Sequence, residues 1–254
     1  MKILICGKGG CGKSTVSTVL ARTLSQKGRD VLLVDADESN HGLHDLLGTD
    51  PPVNLMENLG GKPGVKEKMQ ASSDAFNPVP IFNARFKVED LPAPCVAEAD
   101  GVRLLALGKI RKFGEGCGCM LGALTKRFLT NIVLEPKQVV VVDMEAGVEH
   151  FGRGVDAGCD LVIGVVDPSR ESVLLSGSII EMADNANLDA ALILNRVDET
   201  TAPVIAEKLD PNRVLGQIPA MDSLFTAGLE GRPLTQLPEG IDSICDAILA
   251  RVRG

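Results

Sequence analysis

With 254 residues, 44% of them hydrophobic and 24% charged, the chain has the length and balance of one α/β domain that buries most of its apolar side chains. A formal net charge of -8 argues against a protein whose main surface grips nucleic acid or an anionic membrane, since both demand a basic face. Trp and Tyr are absent, so the core is aliphatic; no apolar run reaches the length of a membrane span and the chain opens directly on a strand-like segment, which reads as cytoplasmic.

In chain order, the first strand is expected over residues 2–6, followed by a glycine-rich turn. Val16, Val19, Leu20 and Leu24 then recur at helical spacing, with Gly28 as the stop. A second strand is expected over 31–34. Residues 51–100 are rich in Pro, Gly and polar side chains with weak periodicity, and read as a loop-rich insertion. Further strands follow at 102–107, 139–142, 161–166, 190–194 and 214–218, with a helix over 120–129 between the first two. The last segment places Ile241, Ile244, Cys245, Ile248, Leu249 and Val252 on one helical face; Arg251 and Arg253 alone are too few bases for a membrane anchor. Short apolar runs alternating with helical patterns predict an α/β fold with a mostly parallel central sheet covered by helices on both faces, all within a single domain over 1–254.

Directly after the first strand and before the first helix stands Gly7-Lys8-Gly9-Gly10-Cys11-Gly12-Lys13-Ser14-Thr15, which satisfies the phosphate-binding pattern G-x-x-x-x-G-K-[ST]. Glycines let the backbone fold around an anion, and successive N–H groups then face the phosphates with a helix N-terminus behind them. These nine residues are the expected nucleotide cradle of a P-loop NTPase. Lys13 is expected to reach the β- and γ-phosphates, and the Ser14 hydroxyl to ligate Mg²⁺. Lys8, immediately after the first glycine, departs from an ordinary P-loop. In the form Gly-Lys-Gly-Gly-x-Gly-Lys-Ser it resembles the deviant Walker A ATPases, which include septum-positioning and plasmid-partition ATPases and the nitrogenase iron protein.

That resemblance implies a face-to-face homodimer in which Lys8 crosses to the partner's ATP and offsets charge that develops during transfer. Asp35-Ala36-Asp37 after the second strand is similar to the family's first switch: Asp37 would orient the attacking water and Asp35 would lie near the Mg²⁺. Asp143-Met144-Glu145-Ala146-Gly147 after the run 139–142 resembles the metal-side aspartate and second switch, with Asp143 facing the Mg²⁺ and Gly147 sensing the γ-phosphate. Asn195 and Arg196, then Pro219 after the last strand, resemble the adenine-contacting loops, although Asn and Pro also end many strands for reasons of turn chemistry.

Seven cysteines, an odd count without a secretion signal, argue against a disulfide framework. Cys6, Cys159 and Cys245 lie in apolar stretches and are expected in the core; Cys11 and Cys95 are less clear. Cys117 and Cys119 differ, standing in a glycine-rich metal element over 114–120 just ahead of a helix, where a thiol is biased toward the metal-binding thiolate. Two thiolates do not close a site, but a twofold dimer would gather four, a set suited to Zn²⁺, Ni²⁺ or an iron–sulfur cluster. A redox dithiol is the alternative. Together with Lys8, the two switches and Gly-Cys-Gly-Cys, the run from Asp143 to His150 with Arg153-Gly154 is similar to the CooC proteins, nickel-handling ATPases that mature carbon monoxide dehydrogenase. This resemblance implies an ATP-dependent metallochaperone that carries Ni²⁺ on Cys117 and Cys119, with Zn²⁺ able to take its place, and an apo carbon monoxide dehydrogenase as client. An ATP-gated iron–sulfur electron donor and a positioning ATPase are the competing readings; the latter lacks a visible basic tail or DNA-binding face.

Overall fold

The computed structural model describes residues 1–38, 42–73, 77–109, 119–148, 154–155 and 158–251. Its centre is an eight-stranded sheet in the order β3-β4-β2-β5-β1-β6-β7-β8, formed by β1 (Lys2–Gly7), β2 (Asp30–Ala36), β3 (Val96–Ala99), β4 (Val102–Ala106), β5 (Gln138–Met144), β6 (Leu161–Val166), β7 (Asp189–Val197) and β8 (Val214–Pro219). Every pairing is parallel except β3 with β4. All seven expected strands are present, and the sheet is the expected mostly parallel one.

The strands are continuous apolar runs because both faces are covered. Ile3 and Ile5 of β1, Val31 and Leu33 of β2, and Val139 and Val141 of β5 enter one core, while Leu4, Cys6, Leu32, Val34, Val140 and Val142 enter the other. On the first face pack α1 (Lys13–Gln26), α2 (Leu43–Leu47) and α9 (Ile241–Arg251). The second face receives α3 (Leu55–Asn58), α4 (Gly61–Ala71), α5 (Cys119–Asn131) and α6 (Arg170–Asn185); α7 (Thr201–Ala206) and α8 (Asp222–Glu230) complete the described α-helices. Among the described residues no helix is long and apolar enough to cross a membrane.

The 51–100 stretch carries more regular structure than its periodicity suggests. It holds α3, α4 and β3, and sinks Leu55, Met56, Val65, Phe82 and Phe86 into the second core. Strand β3 escapes a pattern search because it is four residues long and half-buried, with no apolar alternation. The signal for it is the turn: Asp100 and Gly101 both have positive φ (50° and 72°), which an Asp-Gly pair favours in a two-residue hairpin.

Candidate functional site

Strand β1 delivers the chain into the glycine-rich turn at the carboxyl edge of the sheet, where ligands of open α/β folds bind. Two glycines there have no substitute. Gly7 has φ 143°, and a Cβ on it would lie 2.6 Å from the Val165 carbonyl; Gly12 has φ 96°, and its Cβ would meet the Asn195 amide nitrogen at 2.3 Å. Helix α1 therefore starts from a left-handed glycine with neither a side-chain cap nor an acidic residue in its first turn, leaving its N–H groups and positive dipole end to an anion. Lys13 is 7% exposed, and its ammonium donates to the Lys8 carbonyl at 3.3 Å.

Parity along the sheet explains the carboxylates. Asp35 follows Val31 and Leu33, and Asp143 follows Val139 and Val141, so both side chains fall on the α1 face; the register pairs Asp35 directly with Asp143. Ser14 donates to one Asp143 oxygen at 2.6 Å and Ser17 to the other at 3.2 Å. Burial pushes Asp143 up to about 7, helped by the nearby Asp35 and Asp37 charges and opposed by the Ser14 hydrogen bond and Lys13. Asp35 is raised to about 6, again by burial, against the pull of Lys109. Asp37 is buried and its N–H donates to Asp35 at 3.3 Å. Behind them Gly147, at φ 97°, donates its N–H to the Gly7 carbonyl at 3.1 Å, joining the second switch to the P-loop.

A cavity of about 260 Å³ is lined by Gly9, Gly10, Gly12, Lys13, Ser14, Thr15, Asp37, Ala146 and Arg196. It shares Thr15 and Arg196 with a second cavity of about 280 Å³ that includes Asn195, Pro219, Met221 and Phe225. The two adjoin as one groove that runs from the P-loop to the ends of β7 and β8. A bulge in β7 between Asn195 and Val197, with Arg196 at φ 57°, lets two consecutive residues reach the P-loop, which regular alternation would forbid. Asn195 donates to the Cys11 carbonyl at 2.7 Å and Arg196 to the Gly10 carbonyl at 2.9 Å. A larger cavity of about 970 Å³, lined among others by Val197, Asp198, Ala202, Val214 and Glu239, lies at the β7 and β8 end of the sheet and contains none of the P-loop.

Within this single chain the Lys8 ammonium rests at the N-terminus of α6, 3.4 Å from the Ser169 hydroxyl and 3.6 Å from the Glu171 carboxylate. Neither partner is marked by a motif. Lys109 is the other residue that pattern reading passes over: it contacts Asp35 and Asp37 from the β4 side, 74 and 72 residues away in sequence. Cys6, Cys159 and Cys245 are buried as expected, and so are Cys11 and Cys95. Burial raises the Cys11 thiol to about 11, against the pull of Lys13, so at neutral pH it stands protonated, packed within the loop. Cys117, His150 and Arg153 lie outside the described residues; Cys119 is the first residue of α5.

The model of the CobQ/CobB/MinD/ParA nucleotide-binding domain matches residues 2–234. An uncharacterized ATP-binding protein of Methanocaldococcus jannaschii is 44% identical over 234 residues, covering 92% of this chain and 94% of that protein. The carbon monoxide dehydrogenase accessory protein CooC of Rhodospirillum rubrum is 31% identical over 255 residues, covering 98% and 95%. Among solved structures, the septum site-determining protein MinD of Pyrococcus horikoshii, complexed with Mg-ADP, superposes with a TM-score of 0.68 at 18% identity over 100% of this chain and 98% of that one, a likeness of fold.

Proposed function

This chain belongs to the CobQ/CobB/MinD/ParA nucleotide-binding family and is a P-loop ATPase; from that premise we propose that it is an ATP-dependent metallochaperone, whose nucleotide cycle gates nickel on a thiolate site shared by two copies and inserts it into an apo carbon monoxide dehydrogenase. The observation that carries this reading is the similarity to CooC along nearly the whole chain, joined to a Gly-Cys-Gly-Cys element in this sequence. Cys119 is the first residue of helix α5, and Cys117 stands two positions before it in the sequence.

For the ATPase step, the P-loop amides and Lys13 would hold the β- and γ-phosphates, and Lys8 would leave Glu171 for the nucleotide of the partner copy. Ser14, Asp143 and Asp35 present hard oxygen donors at one point of the sheet edge, a set that fits Mg²⁺, which when bound neutralises charge on the phosphates. Asp37 would orient a water for in-line attack on the γ-phosphorus; the bond to the β,γ-bridging oxygen breaks, giving ADP and phosphate. Asn195, Arg196 and Pro219 would line the adenine end.

In this account the thiolate site and the hydrolytic site are separable. The Cys117→Ser/Cys119→Ser double variant should hydrolyse ATP within about 2-fold of the parent chain while losing the nickel that co-elutes with the dimer. Stoichiometric nickel on the dimer of that variant would rule the site out, and a brown protein with cluster absorption would favour the electron-donor reading instead.

A further inference from the structure

Lys109 lies three residues past the end of β4 and belongs to none of the nucleotide-site motifs. The β2–β4 ladder carries it to the site: Ala106 pairs with Asp35, and the Leu107 N–H donates to the Asp35 carbonyl at 2.9 Å, extending the ladder past the strand. From there the ammonium donates to Asp35 Oδ2 at 2.6 Å and to the Asp37 backbone carbonyl at 2.7 Å, while the Asp37 N–H donates to Asp35 Oδ1. One cation thus grips the carboxylate of the first switch residue and the backbone of the third, closing a ring around the turn. Both members of the ion pair are nearly sealed, at 11% and 6% exposed, so solvent screens the contact little.

We propose that Lys109 is a positioning residue of the ATPase reaction: it clamps the Asp35-Ala36-Asp37 turn from the β4 side, fixing where the Asp37 carboxylate stands, and supplies the resident charge that lets buried carboxylates gather there. Asp35, Asp37 and Asp143 bring three acidic groups to this edge, faced by Lys13 from the P-loop and Lys109 from β4. When ATP binds, Lys13 is engaged by phosphate; Lys109 alone of the two stays with the carboxylates.

This division of labour has a two-sided signature. Without the Lys109 charge the carboxylates attract a divalent cation more strongly, while the loosened turn leaves Asp37 poorly aimed. General damage to the site would weaken Mg²⁺ binding and hydrolysis together. The proposal rests on Asp37 acting on the attacking water; Asp37→Asn tests that reading alone, which fails if the variant hydrolyses ATP at the parent rate.

The experiment compares the full chain with its Lys109→Met and Lys109→Arg variants, reading kcat, KM for ATP, the half-saturating Mg²⁺ concentration and the thermal midpoint. Lys109→Met should lower kcat about 30-fold and lower the half-saturating Mg²⁺ about 3-fold, with KM for ATP within about 2-fold. Lys109→Arg keeps the charge and the donors, and the adjoining cavity of about 130 Å³, lined by His44, Pro51, Pro52 and Asn54, gives its larger head room, so it should recover kcat to within about 3-fold. A Lys109→Met kcat within about 2-fold of the parent, or a raised Mg²⁺ requirement, would overturn the proposal. Should the methionine variant fail to fold, the arginine variant decides: parent-like Mg²⁺ dependence and kcat support the clamp, and loss of hydrolysis in a folded arginine variant overturns it.

Discussion

At the P-loop end of the groove, the proposed phosphate end, Lys13, Asp35, Asp37 and Asp143 are all buried, whereas at the other, proposed base end Asn195 is buried but Arg196 and Pro219 are exposed and Phe225 is 64% exposed. Burial makes each charge at the first end depend on its neighbours, so that a carboxylate stands only where a hydroxyl, an ammonium or a bound cation compensates it. At the second end the charged groups, Arg196 and Asp222, stand open to solvent and carry no such cost, and a base can be held there by shape and a few hydrogen bonds. Substitutions at the phosphate end should therefore act on chemistry and stability, and those at the base end on affinity.

The largest effect should follow from removing the P-loop ammonium. Lys13→Ala is expected to cut hydrolysis at least about 100-fold, read as phosphate release at saturating Mg-ATP, because the charge on the β- and γ-phosphates then goes unmet. Hydrolysis within 10-fold of the parent would break the distinction between the two ends.

Next comes Asp143, whose burial has a pH consequence. Its folded value near 7 lies above the unfolded 3.8, so the folded chain keeps a proton that the unfolded chain has already lost. The stability contributed is full below about pH 4 and lost as the pH rises through about 7. The nucleotide- and magnesium-free protein should accordingly melt at lower temperature at pH 8 than at pH 6, and Asp143→Asn should shrink that difference while abolishing hydrolysis. Differential scanning calorimetry at the two pH values measures both halves; an unchanged pH dependence in the variant would contradict the assignment.

Smallest is the base end. Asn195→Ala removes the donor to the Cys11 carbonyl and should raise KM for ATP about 3- to 10-fold with kcat little changed, a loss of uniform binding. A fall in kcat with KM unchanged would mean that Asn195 belongs to the chemistry.

What could be read from the sequence divides along the same line. The phosphate loop and both acidic strand ends were legible because a local pattern specifies them: glycines where φ is positive, apolar runs that set parity, an aspartate directly after the last residue of each run. Lys109, Ser169 and Glu171 were not, since their roles arise from strand adjacency and chain returns across 74, 161 and 163 positions, which no local pattern encodes. Strand β3 was missed for want of alternation, although its Asp-Gly turn was visible. Arg196 and Asn195 were found by resemblance, yet the bulge that aims both at the P-loop appears only in the register of β7 against β8.

The account turns on whether nucleotide state governs the thiolate-held metal. The direct measurement loads the full chain with Ni²⁺ and determines metal and mass of the eluting species together, for an Asp37→Asn variant held with Mg-ATP and for the parent chain after hydrolysis to ADP. One nickel per dimer in the ATP-held form and a released, smaller species after hydrolysis are predicted. The same nickel content and the same mass in both nucleotide states would contradict it.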